Sequence, residues 1–326
     1  MTNHSDRFNH SWETTSLESN PAGIDRRRFM SHVAWAGTAM VFTASGGVLS
    51  ACSASSPTAK PTPATDLTFV QISDTHIGFT GPANPDVAKT TMEAIAQINA
   101  LATPPAFVVH TGDLTHTSTP EQFDTISQLL TTIKAPKVIV IPGEHDSTDD
   151  NGEKFRQRFG AGTKGDGWSS FDNNGIHFLA LVNTLHLDKL GHLGSAQLEF
   201  IKADLAKLSS DTPLVIFSHI PLFAMYEAWG WGTDDALTAL SYTKRFASVT
   251  AINGHVHQLM TKTEGNVTFY AGRGTAYPLP APGAGGAAVA KPLTVPADQL
   301  HAALGIRTVN YVAQSKTTGI TDQVLA

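Results

Sequence analysis

The chain has 326 residues, of which 41% are hydrophobic and 15% are charged, and its net charge is −6. This composition is enough for one sizeable core and excludes an intrinsically disordered chain. The acidic balance argues against a nucleic-acid scaffold role, since such proteins bind by neutralising phosphates.

The N-terminal segment resembles a twin-arginine export signal. Arg26, Arg27 and Arg28 precede Phe29, and a modestly apolar stretch follows over residues 32–51. This pattern is typical of proteins that the twin-arginine export machinery carries across the membrane in a folded state. A transmembrane anchor is the alternative, but several glycines and hydroxyl residues dilute the run of roughly 20 apolar residues that a spanning helix needs.

Cys52 is the only cysteine, and it ends the sequence Leu49-Ser50-Ala51-Cys52. This resembles a bacterial lipobox, which predicts a lipid anchor on Cys52 and a periplasmic or cell-envelope location. An incidental thiol beside a soluble-type cleavage site is the alternative. We predict a signal with lipobox over residues 1–51, a flexible tether rich in Ser, Pro and Thr over 52–65, and a single domain over 66–326.

The domain opens with alternating strands and helices. Strands are predicted at 67–72, 106–110 and 137–141, and helices at 86–101 and 120–133. In the second helix Thr119 is the expected N-cap, followed by Pro120, and Gln122 completes a T-x-x-Q capping box. Such repetition predicts parallel strands joined by right-handed crossovers.

The second half begins with a hairpin signal, Asn173-Asn174-Gly175, between apolar runs at 168–172 and 176–182. Further elements follow without an internal repeat or a second domain. Helices are predicted at 195–208 and 234–246, and strands at 213–217, 249–252, 267–271 and 308–312, with a Pro/Ala/Gly-rich segment at 278–290.

Five short motifs lie at or just past the ends of predicted strands. They are Asp74-Thr75-His76, Gly112-Asp113, Gly143-Glu144-His145-Asp146, Ser218-His219 and Gly254-His255-Val256-His257. Imidazole and carboxylate ligands suit metals of intermediate hardness. Two such ions about 3.5–4 Å apart can hold both the attacking and the leaving oxygen of a phosphoryl displacement.

In this order the motifs resemble the calcineurin-like metallophosphoesterase superfamily, and the similarity extends from Asp74 to His257. The resemblance implies an α/β fold, a four-layer α/β/β/α sandwich, that holds two metal ions (Fe, Mn or Zn). A metal-bridging hydroxide would attack phosphorus directly. The implied ligands are Asp74, His76 and His257 for the first metal, Asp113 as a bridge, and Glu144, His219 and His255 for the second. His145 would contact a phosphoryl oxygen or protonate the leaving group, oriented by Asp146.

Glu144 departs from the family pattern, which has Asn at this position. An ionised Glu only accepts hydrogen bonds, whereas the Asn amide can also donate to a phosphate oxygen. The additional negative charge predicts a more tightly held second metal and a preference for monoanionic diesters over dianionic monoesters. Alternatively, the Glu144 side chain swings away and leaves the second site weak or empty.

Five further residues are candidates for substrate contact: His116, Tyr226, Trp229, Trp231 and Arg273. The three aromatic residues lie in a Gly-punctuated loop, where they either stack on an organic part of the ester or pack beneath the loop as a satellite core. His116 could instead lie behind the site or at the surface, and Arg273 could simply be solvated. His110 lies inside a strand and is expected to be structural, whereas His177, His186 and His192 carry no motif.

The sequence therefore predicts a dinuclear, metal-dependent phosphoesterase acting on a small phosphate ester, with a phosphodiester favoured. A phosphomonoesterase is the alternative within the same class. A non-catalytic metal- or ligand-binding lipoprotein is the alternative from another class. The presence of both Asp113 and His145 argues against the non-catalytic protein.

Overall fold

The structure is a computed structural model that describes residues 63–185 and 187–326. The predicted export signal, Cys52, nearly all of the tether and His186 lie outside the described residues. Within the described part of the chain, no helix has both the length and the apolar character that crossing a membrane requires.

Two mixed β-sheets form the centre of the fold. In spatial order the strands of the first sheet are β11 (Thr317–Val324), β10 (Gly305–Val312), β1 (Leu67–Ile72), β2 (Val108–His110) and β3 (Val138–Val140). Strand β1 pairs in parallel with β2, and β2 with β3, while β10 pairs antiparallel with β1 and forms a hairpin with β11.

In spatial order the strands of the second sheet are β4 (Ser169–Asn173), β5 (Ile176–Ala180), β6 (Leu214–Ser218), β7 (Val249–Asn253), β9 (Val267–Ala271) and β8 (Met260–Glu264). The four central strands are parallel, and an antiparallel strand lies at each edge.

Helices cover the outer face of each sheet. They are α1 (Val87–Asn99), α2 (Pro120–Thr131), α3 (Glu153–Phe159), α4 (Ser195–Leu205), α5 (Ala236–Thr243) and the short α6 (Leu300–Ala303). The buried faces of α1 and α2 pack on the first sheet, and those of α4 and α5 pack on the second.

A third apolar cluster lies between the two sheets and joins them. Phe69 of the first sheet stacks on Phe107 at 4.8 Å and meets Phe178 and Phe217 of the second sheet edge-on at 5.8 and 5.6 Å. Such offset and edge-on ring pairs are the favoured aromatic geometries. The three clusters separate four layers, and the predicted α/β/β/α sandwich is confirmed.

The structure contains the predicted hairpin turn between β4 and β5 and the predicted N-cap of α2, but not the predicted capping box. Asn174 and Gly175 have φ angles of 51° and 73°, the left-handed pair that a two-residue hairpin turn requires. Thr119 caps α2 by accepting a hydrogen bond from the Gln122 backbone N–H. The Gln122 side chain does not close the predicted capping box; its oxygen accepts from the N–H groups of His116 and Thr117 at 3.1 and 2.8 Å.

Candidate metal centre

The first predicted ligand set converges at the carboxyl ends of β1 and β7. Asp74, His76 and His257 offer ligand atoms that all lie within 4.8 Å of one another. Nε2 of His257 lies 3.3 Å from Asp74 Oδ1 and 3.3 Å from His76 Nε2. All three residues are buried where the structure brings them together.

The second predicted set converges beside it, after β3, β6 and β7. Glu144 Oε2 lies 2.9 Å from His219 Nε2, and Glu144 Oε1 lies 2.8 Å from His255 Nδ1. The Glu144 carboxylate therefore points between the two imidazoles, and its side chain does not swing away from them.

Asp113 lies between the two triplets. Its Oδ2 is 3.5 Å from His76 Nε2 and 3.3 Å from His219 Nε2, and its Oδ1 accepts a hydrogen bond from the His145 backbone N–H at 3.0 Å. One oxygen thus faces a histidine of each triplet, which is the placement that a bridging carboxylate requires.

The donor set fits metal cations, because several of its buried atoms have no hydrogen-bond partner. These atoms are Asp74 Oδ2, Glu144 Oε2, His219 Nε2 and both ring nitrogens of His255. Unpartnered buried polar atoms are rare and costly in proteins. Here they lie among carboxylates and imidazoles, the groups that bind Fe, Mn or Zn.

Backbone carbonyls hold two of the imidazoles in the tautomer that ligation needs. His219 Nδ1 donates to the Thr111 carbonyl at 2.7 Å, and His257 Nδ1 donates to the Tyr277 carbonyl at 2.6 Å. In the neutral ring each bond leaves the Nε2 lone pair directed toward the site. Such outer hydrogen bonds are the usual means of orienting metal-binding histidines.

The buried carboxylates and imidazoles of the centre shift one another's pKa values in opposite directions. Burial acts to raise the pKa of Asp74, but His257 and His219 lower it to about 2. Burial likewise acts to lower the pKa of His219, but Asp113 and Glu144 raise it well above its ordinary value. The Asp74 carboxylate is therefore ionised at neutral pH and available to a cation.

The backbone of most candidate ligands is in the left-handed region. The φ angles are 55° for Asp74, 41° for His76, 54° for Asp113, 69° for His255 and 49° for His257. Non-glycine residues adopt this region uncommonly, at a cost of order 1–3 kcal/mol each. The concentration of such residues in one site indicates that its geometry is maintained for function.

Two glycines in the motifs make room for the ligand loops. A Cβ on Gly143 would lie 2.0 Å from Asp113 Oδ1, and one on Gly254 would lie 2.1 Å from the Ser73 hydroxyl. Any side chain at these positions would displace a candidate ligand or the residue beside it. This explains physically why glycine precedes the ligands in two of the motifs.

His145 lies at the same centre, but Asp146 does not orient its ring as predicted. The His145 Nδ1 donates to the His116 carbonyl at 2.7 Å. The Asp146 carboxylate instead accepts from the N–H groups of Gly143, Leu114 and Thr115 and from the Thr115 hydroxyl. Asp146 therefore ties the loop after β3 to the loop after β2, and the His116 carbonyl orients His145.

The aromatic residues of the loop after β6 pack beneath the loop as a satellite core. Trp229 and Trp231 are 8% and 1% exposed, and they pack with Val256 of the Gly-His-Val-His turn. The Trp229 indole N–H donates to the Ala287 carbonyl. Tyr226 packs edge-on against Trp229 in the same cluster. Both tryptophan rings are almost fully buried, which favours the satellite core over the predicted substrate contacts.

The remaining candidates divide between the site and the framework. His116 is half-buried and its Nδ1 lies 3.4 Å from His76 Nδ1. Arg273 is half-buried between Gly272 and Gly274, and its guanidinium has no ion pair or hydrogen bond with any described residue. His110 is structural as expected: its ring nitrogens meet the Gly112 N–H and the Thr75 hydroxyl. His192 pairs with Asp234 at the surface.

Tyr277 is a residue at the site that the sequence motifs do not reveal. It is 4% exposed, and its ring centroid lies 4.9 Å from those of both His76 and His257. Burial and the charge of Asp113 raise its pKa. An aromatic residue shortly after β9 was the available signal, but Tyr is outside the His/carboxylate pattern used to find the motifs.

The fold and the site define the class of the protein: an α/β sandwich whose two sheets present a His/carboxylate metal centre at one edge. The chain belongs to the family described as calcineurin-like phosphoesterase, whose sequence profile matches residues 67–259. It is thus a member of a metal-dependent phosphoesterase family and carries the residues to hold metal.

Two relatives in other bacteria are similar over part of the chain. One, from Rhodopseudomonas palustris, is described as a probable cyclic nucleotide phosphodiesterase and is 30% identical over 164 residues. The other, from Arcobacter nitrofigilis, is described as a probable glycerophosphodiester phosphodiesterase and is 26% identical over 169 residues. The alignments span 48% of this chain and 58% of either relative.

Solved structures share the fold at low sequence identity. A dimetal phosphatase from Danio rerio superposes with a TM-score of 0.60 at 14% identity, covering 81% of this chain and 97% of that one. A purple acid phosphatase from yellow lupin superposes with a TM-score of 0.52 at 15% identity, covering 80% and 54%. These similarities establish the architecture alone.

Proposed function

We propose that this protein is a dinuclear metal-dependent phosphodiesterase acting on a small phosphate ester. The observation that carries the proposal is the pair of His/carboxylate triplets that share Asp113 between them. One triplet would hold the first ion through Asp74, His76 and His257. The other would hold the second through Glu144, His219 and His255.

The bound ions would supply positive charge to the phosphoryl oxygens and acidify a water molecule. His145 would lie beside them as the proton donor. Its Nδ1 is held by the His116 carbonyl, which leaves Nε2 for the substrate. Burial acts to lower the pKa of His145, but Asp113 and Glu144 raise it, which favours the protonated ring that a leaving group needs.

The preference for diesters follows from charge. Glu144 adds a third carboxylate to Asp74 and Asp113 at the centre, and its own pKa is held well below the ordinary value by His255 and His219, against the effect of burial. A dianionic monoester meets more repulsion at such a site than a monoanionic diester. The descriptions of the two bacterial relatives as diesterases agree with this preference.

The proposal is tested by metal content and by turnover of bis(p-nitrophenyl) phosphate against p-nitrophenyl phosphate. We expect about two ions per chain and faster diester turnover. Glu144→Asn should shift the ratio toward the monoester, whereas Glu199→Asn, a change on the exposed side of α4, should leave it unchanged. An unaltered ratio in Glu144→Asn would remove the charge argument.

The same measurements separate the competing functions. Preferred turnover of the monoester identifies a phosphomonoesterase. Two bound ions without turnover of either ester identify a non-catalytic metal-binding protein. Elemental analysis of the purified protein also decides among Fe, Mn and Zn, which this ligand set accommodates about equally.

We further propose that the enzyme is exported by the twin-arginine machinery and anchored by a lipid at Cys52 in the cell envelope. The arginine triplet and the lipobox support this proposal. Replacing Arg26 and Arg27 by Lys should retain the protein in the cytoplasm, and Cys52→Ser should release it from the membrane fraction. Unchanged fractionation of both variants would contradict it.

A further inference from the structure

His116 lies at the candidate metal centre, on the loop that follows Asp113, and is partly exposed to solvent. Its ring stacks on His145 with centroids 5.0 Å apart and planes 16° apart, and its edges meet His76 and Phe79. It is half-buried, in contrast to the fully buried His76.

The two ring nitrogens of His76 face different neighbours. Its Nε2 points toward Asp113 and His257, the side on which a metal would be held. Its Nδ1 lies 3.4 Å from His116 Nδ1, the one hydrogen-bond contact recorded for that nitrogen among the described residues. A neutral imidazole that binds metal through Nε2 carries its hydrogen on Nδ1. His76 therefore donates to His116.

This donation fixes the tautomer of His116. Its Nδ1 must accept, so its own hydrogen is on Nε2. That Nε2 has no protein partner within the described part of the chain and is not among the buried unpartnered atoms, so it is accessible to solvent and to a ligand. His116 thus presents an N–H donor beside His145.

The backbone of His116 is fixed on both sides, which sets the point from which its ring projects toward His76 and His145. Its N–H donates to the Ile77 carbonyl and to the Gln122 side-chain oxygen, and its own carbonyl accepts from His145 Nδ1. The Gln122 side chain reaches this loop from the first turn of α2. A residue fixed by three bonds loses little freedom when it binds a ligand.

We propose that His116 has two roles: it positions the metal ligand His76 through Nδ1, and it binds a phosphoryl oxygen of the substrate through Nε2–H. The second role rests on the proposed phosphoesterase function. The first requires only a metal at the first triplet. The two roles use different ring nitrogens, so different substitutions separate them.

The test compares His116→Ala, His116→Asp and His116→Asn in the metal-loaded protein, with two readouts that need no turnover. One is metal affinity, measured by competition with a chelator. The other is binding of inorganic phosphate, measured by calorimetry. Loss of an outer hydrogen bond to a metal-binding histidine typically weakens metal affinity by about 10–100-fold, which is the change expected for His116→Ala.

The carboxylate of His116→Asp still accepts from His76 but cannot donate. We expect near-normal metal affinity, with phosphate affinity reduced about threefold to tenfold or more, as for one lost hydrogen bond with added repulsion. His116→Asn has an acceptor and a donor and should largely retain both. His301→Ala, at a partly exposed histidine on α6 away from the metal centre, serves as the matched control.

Unchanged metal affinity in His116→Ala would overturn the positioning role. Unchanged phosphate affinity in His116→Asp would overturn the binding role. Neither readout depends on ester hydrolysis, so an inactive wild-type protein would refute the proposed enzymatic function while leaving the positioning role measurable. If His116→Ala fails to fold, the comparison of the Asp and Asn variants still decides the binding role.

Discussion

At the scale of single residues, Gly143 sets the position of the carboxylate between the two triplets. Its φ of −97° is accessible to alanine, so Gly143→Ala introduces no backbone strain of its own. The added Cβ would nevertheless lie 2.0 Å from Asp113 Oδ1. We expect Asp113 to move and the metal content to fall from two ions to one or fewer, as measured by elemental analysis after dialysis.

The matched control is Gly319→Ala on β11, where the nearest atom to the added Cβ is the Asn310 carbonyl oxygen at 3.6 Å. This variant should retain its metal. Full metal occupancy in Gly143→Ala would show that Asp113 is not needed where the structure places it.

The sequence predicted the candidate ligands but not how they are held. The motifs predicted that Asp74, Asp113 and Glu144 lie close together, because each follows the carboxyl end of a parallel strand and these ends meet at one edge of the sheet. The left-handed backbone and the fixed imidazole tautomers arise from contacts with residues distant in sequence, such as the Thr111 carbonyl that accepts from His219. Whether Trp231 contacts substrate or packs in a satellite core depends on its burial, and no local sequence pattern distinguishes the two.

At the scale of elements, His177 joins the β4–β5 hairpin to α4. Its Nδ1 lies 2.8 Å from Asp172 Oδ1 and its Nε2 lies 2.9 Å from Asp204 Oδ2. Two carboxylate acceptors require hydrogen on both ring nitrogens, so the ring is an imidazolium. Burial acts to lower the pKa of His177, but the hydrogen bonds to Asp204 and Asp172 raise it above 6.5.

The contacts of His177 with Asp172 and Asp204 predict that the stability of the fold depends on pH. A pKa that folding raises contributes stability that is fully present below the unfolded pKa of about 6.5 and is lost as pH rises through the folded value. His177→Asn should lower the free energy of unfolding in urea by about 1.5–3 kcal/mol near pH 6 and by less near pH 9. His301→Asn, which removes a partly exposed pair with Glu93, should have little effect at either pH. An equal loss for His177→Asn at both pH values would contradict the ionic role.

The sequence did not predict the short helices α3 and α6, or the strands β8 and β11, which have weak hydrophobic patterns. In β8 four of five residues are exposed, and β11 lies at the edge of the first sheet. Edge strands bury little apolar surface, so their residues need not alternate strongly. The central strands were predicted well because both of their faces are buried, which makes them continuous apolar runs.

At the scale of the whole molecule, the metal centre spans the two sheets. The first sheet supplies the carboxylates Asp74, Asp113 and Glu144, which follow its strands. The second sheet supplies His219, His255 and His257. Protein contacts also cross this gap below the site: Gln71 donates to the Asn253 carbonyl, and Arg307 of β10 donates to the Ala271 carbonyl of β9. The sheets are therefore joined by the core and by these bonds even before metal binds.

Metal ions held by ligands from both sheets should add stability to this framework. An ion at about 100 times its Kd contributes about 2.7 kcal/mol, because it binds the folded state and has no formed site in the unfolded chain. For a domain of this size that corresponds to a Tm lower by about 5–10 °C for each ion removed. Calorimetric melting with and without a chelator measures it.

The control for this experiment is His255→Ala, which removes one ligand of the second triplet. It should show a smaller chelator-induced shift than the wild type, since one ion is already weakly held. The direct bonds from Gln71 and Arg307 remain in both proteins, so cooperative folding should persist without metal at a lower Tm. A chelator shift of equal size in both proteins would mean that the second triplet does not link the sheets. Loss of cooperative melting without metal would mean that the core and the polar bonds do not hold the sheets together alone.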